Sequence, residues 1–201
     1  MSGVTVACVL RSGGDYGPEY VKRLRAGVGR HLPGAVWVCL SDVPEAATHP
    51  LQHGWPGWWS KMELFTPGLL TGPTLYLDLD TVVVGDLADI AAAVPRDGFA
   101  MLQDFTRPDG YGSGVMGWFG DWSRLYSAFA ADPAGHQARY ATGARWGDQA
   151  FIRDHIGCRP ATWQDAVPRQ IVSYKVHGRT ADARLVCFHG RPRPAEVDWQ
   201  A

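Results

Sequence analysis

Two carboxylates interrupt an apolar stretch of the chain, residues 75–84. Asp78 and Asp80 are two residues apart, and on an extended chain such residues point to the same side. The two side chains could therefore share one hard cation and leave coordination places for water and phosphate oxygens. Without a cation the carboxylates would repel each other, and one would be driven neutral. The alternative is a pair of strand-end carboxylates that cap nearby backbone amides.

Other polar residues also follow predicted strands. Arg11 with the Ser12-Gly13-Gly14 turn follows the first strand, Asp42 the second, Asp104 a later one and His189 the last. Apolar strands that alternate with helices predict an α/β fold, with a mostly parallel sheet flanked by helices on both faces. Ligands of such sheets bind outside the carboxyl ends of the strands, so these residues should lie near one another.

The apolar runs and the glycine and proline breaks between them give the expected element boundaries. The predicted strands are residues 4–10, 35–40, 74–79 with a continuation at 82–84, 98–102, 114–119 and 184–188. The predicted helices are residues 18–31, 58–65, 86–93, a helix capped by Asp121 that runs to about residue 131, and 147–155.

Composition narrows the class of protein. The 201 residues are 46% apolar and 19% charged, with a formal net charge of -1, which fits one globular domain. The apolar content argues against a disordered chain, and the near-zero net charge argues against nucleic-acid binding through bulk positive charge. The sequence has no run near the ~20 apolar residues of a membrane helix, no evident signal peptide and no paired CxxC cysteines. We therefore expect a cytoplasmic protein with reduced cysteines.

A haloacid dehalogenase-like phosphatase is one class that this acidic pair would fit. Residues 78–82 read Asp-Leu-Asp-Thr-Val, which matches the DxDx(T/V) string of those enzymes, with Asp78 as the nucleophile. However, that fold carries its nucleophile after the first strand, and here two strand-helix units precede Asp78. The phosphatase is therefore the alternative interpretation.

Several blocks, taken in order, resemble family 8 of the GT-A glycosyltransferases, the glycogenin and galactosyltransferase-like group. Asp148-Gln149 resembles the family's "DQ" step. The other matching blocks are residues 75–84 ("YLDxDxxV"), 85–87 ("xxDL"), 112–116 ("NSGVM", with Gly112 in place of Asn) and 188–194 ("HFxGxxKP", with Arg193 in place of Lys). The resemblance implies a small bacterial or phage-type member with a single GT-A domain, residues 1–201. Its nucleotide half would be about 1–80 and its sugar and acceptor half about 81–201.

The resemblance implies a metal-dependent transferase that moves a sugar from a nucleotide sugar, foremost a UDP-sugar, to an unknown acceptor. His189 would join Asp78 and Asp80 as the third metal ligand, and an imidazole with carboxylates suits Mn²⁺ better than Mg²⁺. Gly190 would allow close approach to the donor phosphates, and Arg191 and Arg193 would bind them. Alternatively, His189 bonds only to the backbone and the arginines form a solvated tail.

The remaining site residues follow from the strand ends and from the same resemblance. Arg11, Tyr16 and Asp42 would line the base and ribose pocket, although Tyr16 could equally pack over a helix and Asp42 could form a turn. Lys61 would contact the donor or lie on the surface, off a core face of Trp58, Met62 and Phe65. The sugar would be bordered by Asp104, Ser113, Gly114, Asp148 and Gln149.

Family 8 enzymes retain anomeric configuration, and here we expect front-face attack in which the leaving phosphate takes the acceptor proton. Gln149 is a poor nucleophile, so only Asp148 could serve a covalent route. Trp55 and Trp146 lie in glycine-flanked loops and are the better candidates for sugar platforms. Because Gly112 replaces the family's Asn, a binding module without turnover is a further alternative.

Overall fold

The computed structural model describes residues 3–143 and 145–197. The strands within these ranges are β1 (Thr5–Leu10), β2 (Val36–Ser41), β3 (His49–Pro50), β4 (Thr74–Leu77), β5 (Thr81–Val83), β6 (Phe99–Gln103), β7 (Tyr111–Trp118), β8 (Ala141–Thr142), β9 (Arg145–Trp146), β10 (Ala161–Thr162), β11 (Ile171–Ser173) and β12 (Leu185–Cys187). The helices are α1 (Pro18–His31), α2 (Ala88–Ala92), α3 (Ser123–Ala131), α4 (Pro133–Arg139), α5 (Gly147–His155), α6 (Trp163–Ala166), α7 (Tyr174–His177) and the 3₁₀ helices Gly57–Phe65 and Pro194–Val197.

A seven-stranded sheet in the order β10-β6-β7-β4-β1-β2-β3 organises the fold. β1 pairs in parallel with β2 and β4, β2 with β3, and β6 with β10, whereas β7 runs antiparallel to both β4 and β6. The predicted α/β class with a mostly parallel sheet is thus confirmed. Because β1, β2 and β4 run in the same direction, their carboxyl ends open on one edge.

Alternation along β1 explains why both faces of this sheet are covered. Val6, Cys8 and Leu10 point to the face that packs with α1, whereas Ala7 and Val9 point to the opposite core. On the second face lie the 3₁₀ helix Gly57–Phe65, α3 and α5. Full burial of one such aliphatic side chain contributes roughly 1.5–3 kcal/mol, so the two cores hold the sheet edge in place.

A second, three-stranded sheet brings the end of the chain to the site. β12 pairs in parallel with β11 and antiparallel with β5, which directly follows the acidic pair. The backbone N–H of Phe188 donates to the carbonyl oxygen of Asp80 (3.1 Å), so the chain after β12 is attached to that pair. The residues after β12, His189 among them, are thereby brought to the end of the sheet where the acidic pair lies, more than one hundred residues earlier in the chain.

Several element boundaries differ from those predicted. The strand expected at 74–79 ends at Leu77, because Asp78 begins a turn in which the N–H of Thr81 donates to its carbonyl oxygen (3.0 Å). The expected helix at 58–65 is a 3₁₀ helix. Met62 and Phe65 are buried as predicted, whereas Trp58 is 47% exposed and Lys61 is buried. The short elements β3, β8 to β11, α4, α6 and α7 were not predicted, because pieces this brief carry no periodicity.

No helix in the described ranges is long and apolar enough to cross a membrane. All four cysteines are free thiols in the structure, and Cys8, Cys39 and Cys187 are buried in strands. Burial and the neighbouring Asp80 charge raise the pKa of the Cys187 thiol well above its usual value. These three cysteines therefore behave as small core residues.

Candidate active site

The acidic pair lies in the turn between β4 and β5, at the carboxyl edge of the large sheet. Besides the two backbone bonds already described, the N–H of Asp78 donates to the carbonyl oxygen of Gly114 on β7 (2.8 Å). The turn is therefore fixed from three directions, by its own backbone, by β7 and by the chain after β12. The assumption of an extended Asp78–Asp80 backbone was wrong, yet both side chains line one pocket.

That pocket has a volume of about 800 Å³ and opens at the strand ends, as the fold class predicts. Its lining includes most of the residues singled out in the sequence: Arg11, Tyr16, Lys61, Asp78, Asp80, Asp104, Ser113, Gly114, Asp148, Gln149, His189, Gly190 and Arg193. Asp42 and Arg191 do not line it.

Lys61 is the centre of a buried polar network. Its Nζ lies 2.9 Å from Asp78 Oδ1, 3.2 Å from Asp148 Oδ2 and 3.3 Å from the Ser113 hydroxyl oxygen. Burial alone would lower the pKa of Lys61, but the charges of Asp148 and Asp78 outweigh it and raise that pKa. The Ser113 hydroxyl donates to Asp148 (2.6 Å), and the Tyr76 hydroxyl donates to Asp78 (2.6 Å). The network fixes both carboxylates, and Lys61 is not a surface residue.

Asp80 belongs to a second network on the other side of the turn. The Tyr16 hydroxyl donates to Asp80 Oδ2 (2.9 Å) and accepts from Arg193, whose guanidinium also lies 3.5 Å from that carboxylate and pairs with Asp15. Burial and the charge of Asp78 raise the pKa of Asp80 to about 6, against the opposing effects of Tyr16, Lys61 and Arg193. The guanidinium covers one face of the Tyr16 ring, 4.7 Å from its centroid.

His189 reaches the pocket from the end of β12. Its Nε2 lies 2.7 Å from the Ser173 hydroxyl, and its ring stacks on Phe105. Burial and the charge of Lys175 lower the pKa of His189, which favours the neutral imidazole that a metal requires. The alternative that His189 bonds only to backbone does not hold, because its partner is a side chain.

The donor types of the predicted metal ligands suit a divalent cation. Asp78, Asp80 and His189 line one pocket, and two carboxylates with an imidazole form a donor set that suits Mn²⁺. In residues 3–143 and 145–197, however, no three His, Cys, Asp or Glu side chains are already gathered as a metal cluster. Each ligand instead has a protein partner, namely Lys61 for Asp78, Tyr16 for Asp80 and Ser173 for His189.

Three predicted ligand-binding residues are held by other side chains. Asp42 accepts from the N–H (2.8 Å) and hydroxyl (2.6 Å) of Ser12, so it anchors the loop after β1. Asp104 faces the pocket but accepts two bonds from Thr106 and three from Arg107, which lower its pKa despite partial burial. Arg191 pairs with Glu196 on the outside. Strand-end position predicted that Asp104 faces the pocket, but Asp42 and Arg191 lie outside its lining, and the partners of all three were not predicted.

Two exposed tryptophans stand at the mouth of the pocket. Trp58 and Trp146 are 47% and 48% exposed, and their ring centroids are 6.0 Å apart. Trp55, the other predicted platform, is buried in the core, stacked on His53. A further cavity of about 400 Å³ adjoins the pocket at Gln149, which lines both. Sequence reasoning gave no site role to two pocket residues: Trp58 was assigned to the core, and Tyr76 stands in the block 75–84 without a predicted contact.

Solved structures share this architecture. Glycosyltransferase GlyE of Streptococcus pneumoniae TIGR4 superposes with a TM-score of 0.67 at 11% identity, over 96% of this chain and 56% of GlyE. Galactosyltransferase LgtC, solved with donor and acceptor sugar analogs, gives a TM-score of 0.64 at 11% identity, over 96% of this chain and 90% of LgtC. The bifunctional glycosyltransferase WbbM gives 0.61 at 12% identity, over 96% of this chain and 47% of WbbM. The chain therefore has the fold of the GT-A glycosyltransferases.

The chain spans about half the length of GlyE and of WbbM but most of LgtC. No protein-family model matches the sequence, and no curated protein sequence matches it. At these identities the likeness establishes the fold, and the chemistry has to be argued from the pocket.

Proposed function

We propose that the chain is a metal-dependent glycosyltransferase of the family 8 type, which transfers a sugar from a nucleotide sugar, foremost a UDP-sugar, with retention. One observation carries the proposal. The pocket at the carboxyl edge of a GT-A sheet brings Asp78 and Asp80 together with the His189-Gly190 segment and Arg193. Carboxylates and an imidazole at one end of a pocket, beside a glycine and a guanidinium, suit a cation with a diphosphate.

Asp78, Asp80 and His189 would hold Mn²⁺, with Mg²⁺ as the second choice. When bound, such a cation supplies charge that stabilises the departing nucleoside diphosphate. Arg193 lies next to Asp80 and would donate to the phosphates, and Gly190 leaves their approach open. Arg11 and Tyr16 line the pocket where base and ribose would lie, with one face of Tyr16 already covered.

The buried network around Lys61 supports retention by front-face attack, because it engages Asp148, the candidate for a covalent route. Asp148 Oδ2 accepts from Ser113 and lies 3.2 Å from Lys61, so the carboxylate is engaged and poorly placed to act as a nucleophile. Lys61 and Ser113 orient Asp148 toward donor hydroxyls instead. Gln149 borders both cavities, where it would separate the donor sugar from the acceptor. The acceptor would enter past Trp58 and Trp146.

Titration calorimetry with Mn²⁺ and a panel of nucleotide sugars, followed by an assay of slow donor hydrolysis, tests the proposal. Wild-type protein should bind a nucleotide sugar when Mn²⁺ is present and lose that binding in excess chelator. Asp80→Asn should abolish binding and hydrolysis. The matched control is Asp97→Asn, which removes an exposed carboxylate outside the pocket. Absence of both binding and hydrolysis across the panel would refute the proposal.

Each of the two alternatives predicts a different result with these ligands or with a phosphate ester. A phosphatase with Asp78 as nucleophile would hydrolyse a generic phosphate ester and bind an aspartyl-phosphate mimic, but Asp78 is hydrogen-bonded by Lys61 and Tyr76 on a different fold. A binding module without turnover would bind the nucleotide sugar and neither transfer nor hydrolyse it. In that case Gly112→Asn, which introduces the Asn of the family's block, would test whether the missing side chain accounts for the lack of turnover.

A further inference from the structure

Lys175 lies next to Gly190, which lines the pocket, although no sequence motif contains this lysine. β11 and β12 are parallel neighbours with Ser173 paired to Cys187, so the residues that follow each strand meet at one edge. Lys175 follows β11, and Gly190 follows β12. A Cβ placed on Gly190 would come within 2.9 Å of the Lys175 Nζ. The ammonium group therefore packs directly against this pocket-lining glycine.

The surrounding charges distinguish Lys175 from the two arginines of the same segment. Arg191 is paired with Glu196, and Arg193 is held by Asp15 and Asp80. In the part of the chain that the structure describes, Lys175 has neither a carboxylate within 4.0 Å nor a hydrogen-bond partner. Its charge nevertheless reaches the pocket, because after burial it is the main cause that lowers the pKa of His189.

The backbone of Gly190 also favours a ligand site next to Lys175. Its φ of +78° is a conformation that side-chain-bearing residues rarely adopt, so the backbone restricts this position to glycine. The bare backbone lets a ligand approach closely, and the ammonium beside it has no anion of its own. An unpaired cation next to an open backbone at the rim of a pocket is an arrangement that receives an anion.

We propose that Lys175 is a phosphate-binding residue that contacts the diphosphate of the nucleotide donor at Gly190. The inference rests on the proposed function and adds a ligand contact that the sequence blocks do not contain. A lysine ammonium is a compact point charge with three donors on a flexible stem, so it can follow phosphate oxygens as the leaving group separates. Lys175 should therefore discriminate between diphosphates and ligands with fewer phosphates.

Affinity measurements with a graded set of probes test this contact. UDP, UMP and uridine, with GDP and ADP as further diphosphates, are titrated with Mn²⁺ into wild type, Lys175→Gln and Lys175→Arg. Lys175→Gln should weaken diphosphate binding about tenfold, the usual effect of one charge-assisted hydrogen bond, and leave uridine binding unchanged. Lys175→Arg should recover most of the loss. Lys22→Gln is the matched control, because Lys22 is an exposed lysine on α1 outside the pocket.

Chemical modification gives a readout that does not depend on turnover. The chain has only three lysines, Lys22, Lys61 and Lys175, so acylation at each can be followed by mass spectrometry. UDP with Mn²⁺ should protect Lys175 and leave Lys22 as reactive as before. If wild type binds a nucleoside diphosphate but Lys175→Gln binds it equally well and Lys175 is not protected, the Lys175 contact alone is refuted. If wild type binds none of the diphosphates, the proposed function and this inference both fail.

Discussion

The ammonium of Lys61 lies 3.2 Å from Asp148 Oδ2, and both side chains are buried. The same ammonium lies 2.9 Å from Asp78 Oδ1, so one cation balances two carboxylates that come from different elements. Lys61 belongs to the 3₁₀ helix, Asp148 to α5 and Asp78 to the turn after β4. The ion pair thus connects the predicted metal end of the pocket with its predicted sugar end.

Replacing Lys61 with Met should destabilise the protein strongly. The substitution leaves Asp78 and Asp148 without their cation, and removal of one partner of a buried pair costs about 3–5 kcal/mol. Denaturant unfolding measures the change, with Lys22→Met as the control for loss of an exposed lysine. Adding Asp148→Asn to Lys61→Met should recover part of the loss, because one unpaired charge is removed. Equal unfolding free energies for Lys61→Met and wild type would contradict this role.

Sequence reasoning predicted the edge of the sheet where the pocket lies, because strand ends are visible in the apolar pattern. Asp78, Asp80 and His189 were placed in one pocket for that reason, although the backbone of the acidic turn was not foreseen. Burial on the 3₁₀ helix was wrong for Trp58 and Lys61. Residues 59–65 are all buried, so this helix has no solvent-facing side for Lys61, and Trp58 is exposed at its first turn.

Sequence patterns did not predict the hydrogen-bond partners of the site carboxylates. Asp42 and Asp104 each follow a strand as expected, yet Ser12, Thr106 and Arg107 occupy their acceptor positions. Which donors a carboxylate meets depends on loop conformation, and loops carry no periodic signal. The same reason explains why the structure was needed to find Lys175 beside Gly190.

Replacing Trp58 or Trp146 should weaken acceptor binding more than donor binding. Both rings are exposed at the mouth of the pocket, where they can pack on an incoming sugar. Aromatic contacts of this kind contribute about 0.5–1.5 kcal/mol, so Trp58→Ala and Trp146→Ala should each raise the acceptor KM roughly two- to tenfold. The assay compares transfer to the best acceptor in a panel of free sugars and alkyl glycosides with hydrolysis of the same donor.

Phe119→Ala is the matched control for this pair, since Phe119 is 46% exposed and lies outside the pocket. Its acceptor KM should equal that of wild type. A loss of donor affinity in either tryptophan variant, with the acceptor KM unchanged, would place the two rings on the donor side instead.

Replacing each of two glycines of α1 with Ala should have different effects on the stability of the protein. A Cβ at Gly29 meets nothing within 4 Å, so Gly29→Ala should stabilise the helix by roughly 0.5–1 kcal/mol. A Cβ at Gly27 would lie 3.0 Å from the Cβ of Val83, which belongs to the strand after the acidic turn. Gly27→Ala should therefore gain nothing or destabilise the protein, as measured by denaturant unfolding. An equal gain in both variants would show that α1 can move away from β5.

Stability should decrease below neutral pH because of His136. Its side chain is buried on α4, its Nε2 bonds to the carbonyl oxygen of Ala128 (3.0 Å), and its Nδ1 has no partner among the described residues. Burial lowers the pKa of His136 below its usual value of 6.5, and the nearby His155 and Arg139 lower it further, against Ala128 and Asp132. The folded protein therefore holds this imidazole neutral.

The sign of the effect follows from proton binding. Between the folded pKa and about 6.5 the unfolded chain binds more protons at this histidine than the folded protein does, so stability falls as the pH falls through that window. The contribution is fully present above pH 6.5, and each unit of pKa depression is worth roughly 1.4 kcal/mol. His136→Gln keeps a donor for the Ala128 carbonyl and cannot be protonated, so its unfolding free energy should fall less between pH 8 and pH 5. If the two curves stay parallel over that range, His136 is not the group that titrates.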